Sequence, residues 1–444
     1  MHIEMILDRI SCRLFGWPLI IYVVALCLIT TFYLGFVQFR YFFSSFRYTF
    51  FPQESTKKAD MSPFQAFVNT LNSSIGNGSI AGMAVALHCG GPGAAIWVLI
   101  IGVLLMAIRY CEIYLSTFYG SEKAGNTIFG GPMVYLKDVF GGVYLPTIYA
   151  VLALFFGLTA GNAAQTNSIR LSLASTWDVP ILAIAIVLTL LVFYILVGGA
   201  KRIVVASEAI VPVKILVFFI SAFIVLAYHY QNIIPALQLM FQSAFTPWAV
   251  IGGSLGVSVQ MAIRFGINQT VFATETGLGT SAIMFGATGS ETPVKDGIMS
   301  MLTTLISTTI CFLVTLCIVA SNVLETGLTS TALTTAAYKT VFGTFGGAIV
   351  TFLAASFGIG VLIAYAYVTR AAWLYLTKGR GLFVFNILYC FFAFGGVLVK
   401  VSLLWKLIEY VNVSMLVINL FGIACLLPLI RKGLVEFAKK EKAL

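Results

Sequence analysis

The chain predicts an all-α polytopic membrane protein of about eleven transmembrane helices, and three observations carry that prediction. Hydrophobic residues make up 60% of its 444 residues and charged residues only 9%. That is too little charge to cover a soluble domain of this length. Mean hydropathy is +0.99, and apolar runs repeatedly reach the ~20 residues that cross a bilayer as a helix. One such run is interrupted midway by a polar, glycine-rich stretch, Leu71-Asn-Ser-Ser-Ile-Gly-Asn-Gly-Ser-Ile-Ala-Gly82.

The spans follow in order. Residues 17–37 form an apolar run too long for a signal-peptide core and without a small-residue cleavage site, so it reads as a retained helix. Ten more spans are expected at 63–86, 92–119, 144–171, 179–198, 207–228, 247–271, 296–320, 343–369, 380–399 and 404–430. The ten divide into two sets of five, 63–228 and 247–430, within one integral membrane domain covering 1–444. Five is odd, so the sets enter the membrane from opposite faces. The first helix of the first set carries Gly76-Asn-Gly78. Its counterpart carries Gly252-Gly-Ser254, Gly256 and Arg264-Phe-Gly-Ile-Asn268, where a second break is expected. Corresponding broken helices in inverted halves point to an alternating-access transporter.

Lys and Arg fix an expected orientation. With the loop after 17–37 on the cytoplasmic side, that side holds about 17 basic residues against roughly five or six opposite. The N-terminus is then outside and the C-terminus cytoplasmic, in a plasma membrane such as the bacterial inner membrane. The net charge of +10 belongs to loops beside anionic lipid, and no basic soluble domain offers a nucleic-acid surface. Eight cysteines share no metal-ligand or disulfide spacing and read as small buried hydrophobes. No zincin motif, Asp pair or Ser–His arrangement suggests an enzyme, and no ATP-binding motif suggests a pump. No cofactor is expected.

In hydrocarbon an unpaired backbone N–H or C=O costs several kcal/mol, so broken helix survives only where it lines a cavity or is buried in protein. Gly76 and Gly78 let the helix unwind, while Asn72, Ser73, Ser74, Asn77 and Ser79 offer polar side chains. The competing reading of Gly78-xxx-Gly82 is a helix-packing face. A nucleotide loop lacks its strand–loop–helix context.

Several motifs now resemble the alanine/glycine:cation symporter family. They are Ser62-Pro-Phe-Gln-Ala66, Gly76-Asn-Gly-Ser-Ile-Ala-Gly82, Gly90-Gly-Pro-Gly93, Gly130-Gly-Pro-Met133 and Phe272-Ala-Thr-Glu-Thr-Gly-Leu-Gly-Thr280. The resemblance runs from about residue 30 to 400. It implies a LeuT-type fold of five plus five inverted helices with one extra N-terminal helix. It also implies uptake of small neutral amino acids coupled to a cation, usually sodium. The chain departs from the family at Ser79 (family Asn), at Thr274 and Thr276 (Asn and Ala) and at Gln269 (usually Arg). In the eighth core helix a Thr-Thr pair and a substrate-contacting Trp give way to Ser356-Phe357, with no Trp before Trp373. Loss of that aromatic reshapes the pocket.

A zwitterionic substrate needs N–H donors for its carboxylate, expected around Gly78 with Ser73 and Ser74. Its ammonium needs acceptors, expected from unwound carbonyls near Phe265 to Asn268 and from Gln165. The family stretch matching Gly161-Asn-Ala-Ala-Gln-Thr-Asn167 lines its substrate site. Interhelical hydrogen bonding accounts better for Asn162 and Asn167. By analogy of fold, sodium is expected between the carbonyls of Asn72 and Ile75 and the Ser356 hydroxyl. For Ser356 a back-bond within its own helix is the competing reading.

Proton coupling needs a carboxylate near the cavity, and Glu112, Glu208 and Glu275 are the candidates. Glu112 reads as the partner of Arg109, Glu208 as a cap or surface pair, and Glu275 as part of a cytoplasmic gate. Arg264 is the second gate candidate. Tyr365 and Tyr367 read as too far along their helix to reach the pocket. The expected partners are a small amino acid, sodium and membrane lipid. The alternatives are a proton-coupled or uncoupled carrier of a different small solute.

Overall fold

The computed structural model describes residues 16–51, 59–122, 130–174, 176–177, 179–245, 259–399 and 402–443, and all regular structure among them is helical. Helix α1 (Trp17–Tyr33) is followed by short helical turns and then by the first interrupted helix. That helix has a defined start: the Ser62 hydroxyl accepts from the Gln65 N–H (3.2 Å), and the Gln65 side chain accepts from the Ser62 N–H (2.9 Å). This reciprocal cap, with Pro63 in the first turn, begins α2 (Pro63–Ser74). The helix stops at Ile75. Gly76 is extended, Asn77–Ser79 make one 3-10 turn, and α3 (Ala81–Gly90) resumes the path.

Next come α4 (Ala94–Glu122) and α5 (Leu145–Leu158). The latter passes through a π turn, Thr159–Ala163, into α6 (Ala164–Ala174). Helices α7 (Ile181–Val197) and α8 (Gly199–Tyr228) meet at Gly198-Gly199. Lys201 and Arg202, expected in a loop, lie instead in the first turn of α8. Arg202 folds back, donating to the Tyr194 carbonyl (2.8 Å) over the Tyr194 ring. Helix α9 (Tyr230–Phe245) completes the first half.

The second half departs from expectation. Gly252, Gly253, Ser254 and Gly256 lie outside the described residues. From there α10 (Val259–Thr274) is uninterrupted, so the carbonyls of Phe265 to Asn268 sit inside regular helix and are not unwound. The break comes one turn and more later, at Glu275–Gly279, before α11 (Thr280–Phe285). Gly277 (φ +94°) and Gly279 (φ +85°) take up left-handed backbone there, and Glu275 joins them at +53°. Gly266 has a different job: a Cβ there would come within 2.7 Å of the Ala94 carbonyl oxygen and of the Trp97 side chain, so it lets α10 close on α4.

Helices α12 (Pro293–Ala320), α13 (Ser330–Phe342), α14 (Phe345–Leu376), α15 (Leu382–Leu398) and α16 (Ser402–Ala443) complete the chain. Among the described residues, six stretches are long and apolar enough to cross a membrane: Ala94–Gly120, Leu145–Ala174, Gly199–Tyr228, Pro293–Ala320, Phe345–Leu376 and Leu407–Glu441. Helices α1, α7 and α15 are shorter apolar helices, and α2–α3 and α10–α11 are the interrupted pair. Helix α4 packs along α12, while α14 packs against α2, α5, α6 and α8. Exposed Ile186, Val187, Leu190 and Phe193 on α7, with Leu216 and Phe223 on α8, present apolar faces suited to lipid.

Candidate functional site

The two breaks face one small hollow. Ser73, Ser74, Gly76 and Gly78 come from the first and Glu275 from the second; Gln165, Val361 and Tyr365 close the sides. The hollow measures about 30 Å³, room for one or two waters. Beside it opens a vestibule of about 990 Å³, bounded by α1, α3, α6, α10, α13 and α16. Gly78, Gln165 and Phe272 line both spaces. A solute passing from the vestibule to the hollow therefore meets these three residues at the entrance. Toward the other face, near Asp60, Tyr367 and Arg370, packing leaves only about 20 Å³.

Gln165 sits just past the π turn. Inserting one extra residue per turn is a distortion often found at functional sites, and here it aims the Gln165 side chain back along the helix. Its Nε2 donates to the Ala160 carbonyl (3.1 Å), and its Oε1 accepts from Asn77 Nδ2 (3.5 Å). The amide thus ties the π turn to the first break. Its neighbours turn outward: Asn162 donates to the Tyr389 carbonyl (2.7 Å), and Asn167 to those of Gly396 (3.0 Å) and Val399 (3.1 Å). Ser73 and Ser74 line the hollow, but both hydroxyls donate to the Thr70 carbonyl, and Ser74 Oγ also lies 2.9 Å from Ser307 Oγ on α12. The N–H groups of Asn77 and Gly78, opening the 3-10 turn, have no carbonyl within it to bond. Gln269, where the family carries Arg, donates to the Gly78 carbonyl (3.0 Å) and pins the break to α10.

Glu275 was expected at a cytoplasmic gate. It is buried beside the first break instead, its Oε2 accepting from Thr280 Oγ1 (3.2 Å). Arg264 lies on the vestibule wall, half-buried, eleven residues and roughly 16 Å up the same helix. The two gate candidates therefore do not meet. Phe265 and Asn268 also line the vestibule and not the hollow. Tyr365, read as too distant, lines the hollow and lies against Phe156, the ring centroids 5.8 Å apart and the planes tilted at 58°. Glu208 accepts from the Gln65 side chain (3.3 Å). Glu112 pairs with Arg109, as expected, and both are fully buried.

The carbonyls of Asn72 and Ile75, expected to hold sodium, already accept hydrogen bonds from a lysine amine. Lys214, buried in the middle of α8, donates through Nζ to Ile75 O (2.9 Å) and Asn72 O (3.2 Å). Ser356 does not join them. Its hydroxyl donates to the Leu353 carbonyl (2.9 Å) of its own helix. The α14 residues that face Lys214 are Phe357, whose ring centroid is 5.5 Å from Nζ, and Gly360. Thus the sodium set expected from Asn72, Ile75 and Ser356 is not assembled: two of its oxygens accept from Lys214 Nζ and the third is bonded within its own helix.

Sequence reasoning missed Lys214, Phe272 and Tyr365. For Lys214 a signal existed, because an ionisable residue inside an apolar span is a functional-site candidate by default.

Comparison with known proteins agrees with this architecture. A family model described as the sodium:alanine symporter family matches residues 1–444. An uncharacterised transporter of Haemophilus influenzae is 32% identical, over 99% of this chain and 96% of its own. The sodium/alanine symporter AgcS of Methanococcus maripaludis is 29% identical, over 98% of each chain. The probable sodium/glutamine symporter GlnT of Bacillus subtilis is 29% identical, over 96% of this chain and 88% of its own. Among solved structures, a Na+-coupled sialic acid symporter in a substrate-bound outward-open state shares the fold, with a TM-score of 0.61 at 12% identity over 92% of this chain and 87% of that one. With its interrupted helices, the hollow between them and a match along its whole length, this chain belongs to the sodium:alanine symporter family of membrane transporters, which are not enzymes.

Proposed function

We propose that this chain carries a small neutral amino acid of the alanine and glycine class across the plasma membrane by alternating access. One observation carries the reading: the first interrupted helix turns the Asn77 and Gly78 N–H groups, and the second the Glu275 carboxylate, toward a hollow that adjoins the vestibule. The Asn77 and Gly78 N–H groups suit a substrate carboxylate. The Gln165 amide oxygen and the Glu275 carboxylate suit its ammonium. The hollow as it stands is smaller than alanine, so entry requires Phe272 and Gln165 to part. The charge bias of the loops supports eleven spans in a LeuT-type arrangement, N-terminus outside. The vestibule then faces outward and the tight packing near Asp60 faces the cytoplasm.

Sodium is the coupling ion that the family name suggests. The contact of Lys214 with the Asn72 and Ile75 carbonyls favours a second reading, in which sodium does not sit at the first break. Uptake of radiolabelled alanine and glycine into proteoliposomes, with sodium and proton gradients imposed separately, tests the proposal. Saturable accumulation supports it; no uptake of any small neutral amino acid under either gradient rejects it.

A further inference from the structure

Lys214 has no way to reach water. It lies mid-way along α8, roughly 21 Å from either end, and its four-carbon stem is far too short to snorkel that distance. It is 0% exposed. A charged group in hydrocarbon depth persists only with strong partners, and these are the last carbonyls of α2. Asn72 lies near that helix's C-terminal end and Ile75 caps it, so their oxygens sit at the negative end of the half-helix dipole. A coupling cation in a broken-helix transporter uses that kind of acceptor.

The remaining surroundings suit an ammonium and not a sodium ion. Sodium needs a shell of oxygens, and the α14 hydroxyl expected to join it, that of Ser356, is bonded within its own helix. Phe357 turns a ring face toward Nζ, an arrangement that stabilises an organic cation. Gly360 leaves the space that Lys214 fills: a Cβ there would lie 2.7 Å from Nζ and run into Asn72 Oδ1. The Asn72 side chain is itself held in place by donating to Ser207 Oγ (3.0 Å) on α8. Helices α2, α8 and α14 are thus joined through one nitrogen.

We propose that the Lys214 ammonium is a tethered cation standing in for sodium at the first helix break, so that this chain moves its substrate without sodium. The inference rests on the amino-acid reading of the adjoining hollow for its transport consequence. A covalently attached cation is present at any salt concentration, so no sodium has to bind before the break takes its shape.

The test uses the purified full chain. In counterflow, with proteoliposomes preloaded with unlabelled alanine, the wild-type rate is expected to stay within twofold when sodium is replaced by N-methylglucamine. Lys214→Ser and Lys214→Ala are expected to lose at least tenfold without sodium and to recover with sodium but not potassium. Melting in detergent gives a readout independent of transport: sodium over potassium shifts Lys214→Ser upward and leaves the wild type unmoved. A wild-type rate that collapses without sodium overturns the proposal, as does a sodium-specific shift of the wild type or its absence in a folded Lys214→Ser. If both variants misfold, the wild-type measurements still decide. If wild type exchanges no neutral amino acid, the substrate reading fails, while the melting comparison continues to judge the tethered cation.

Discussion

Arg109 and Glu112 stand one turn apart on α4, joined at 3.3 Å, and each holds an opposite end of the loop that interrupts α10–α11. Arg109 donates to the Thr274 carbonyl (2.7 Å) and to Thr276 Oγ1 (3.0 Å). Glu112 Oε1 accepts from the Gly279 N–H (2.9 Å) and from Asn419 Nδ2 (2.7 Å). The pair therefore fixes the second break from outside while Glu275 looks inward. Removing one member leaves a buried charge uncompensated, at about 3–5 kcal/mol. Arg109→Met and Glu112→Leu should each lower the melting temperature in detergent markedly, and the double variant should be less damaged than the sum. Strictly additive losses would show that the two do not act as a pair.

The glycines of the first break differ in tolerance. A Cβ on Gly76 would lie 2.7 Å from Val361 Cγ2, whereas one on Gly78 makes ordinary contacts with the Phe272 ring at 3.5 Å and Gln269 Nε2 at 3.8 Å. Gly76→Ala should cut uptake about tenfold or more, roughly 1.4 kcal/mol, with Val361→Ala restoring part of it. Gly78→Ala should be mild and Gly78→Val severe, since the branched chain closes the entrance. Uptake rates normalised to membrane-inserted protein distinguish these outcomes.

Gln165→Ala removes the link between the π turn and Asn77 and deletes an acceptor from the hollow. The expected result is a KM for substrate raised at least fivefold with little loss of protein. An unchanged KM removes Gln165 from the substrate site.

Phe272 separates the hollow from the vestibule. Phe272→Ala should merge the two spaces and let longer neutral side chains, such as that of glutamine, compete with alanine for uptake. Competition profiles measured against labelled alanine read this directly, and an identical profile assigns the selectivity elsewhere.

Ser356→Ala should leave uptake within twofold of wild type. Its hydroxyl serves only the Leu353 carbonyl of its own helix, a bond whose loss costs little. A sharp loss of transport or an altered ion response would show that Ser356 turns toward the break during the cycle.

The first break was legible because Gly76-Asn-Gly78 brings conformational freedom and polar side chains together inside an apolar run. The second was misplaced because glycines serve two purposes that look alike in sequence. Gly266 admits a neighbouring helix, whereas Gly277 and Gly279 bend the backbone, and only geometry separates them. That displacement also hid Tyr365, whose relevance depends on where the second break lies. Lys214 announced itself as a charge in an apolar span, but its partners are carbonyls 139 and 142 residues away, which carry no residue-type signature. Backbone acceptors are invisible to any reading of side chains.

The contrast between a hollow of about 30 Å³ and a vestibule of about 990 Å³ has a pharmacological consequence. The outer space has the dimensions of a drug-sized pocket and is walled partly by apolar side chains, Leu19, Ile20 and Val23 of α1 among them. An amino acid bearing a bulky hydrophobic tail could seat its zwitterionic head past Phe272 and leave the tail wedged outside, where it holds the entrance apart. Such a compound is expected to compete with the substrate without being carried, which makes this antechamber a target for a blocker.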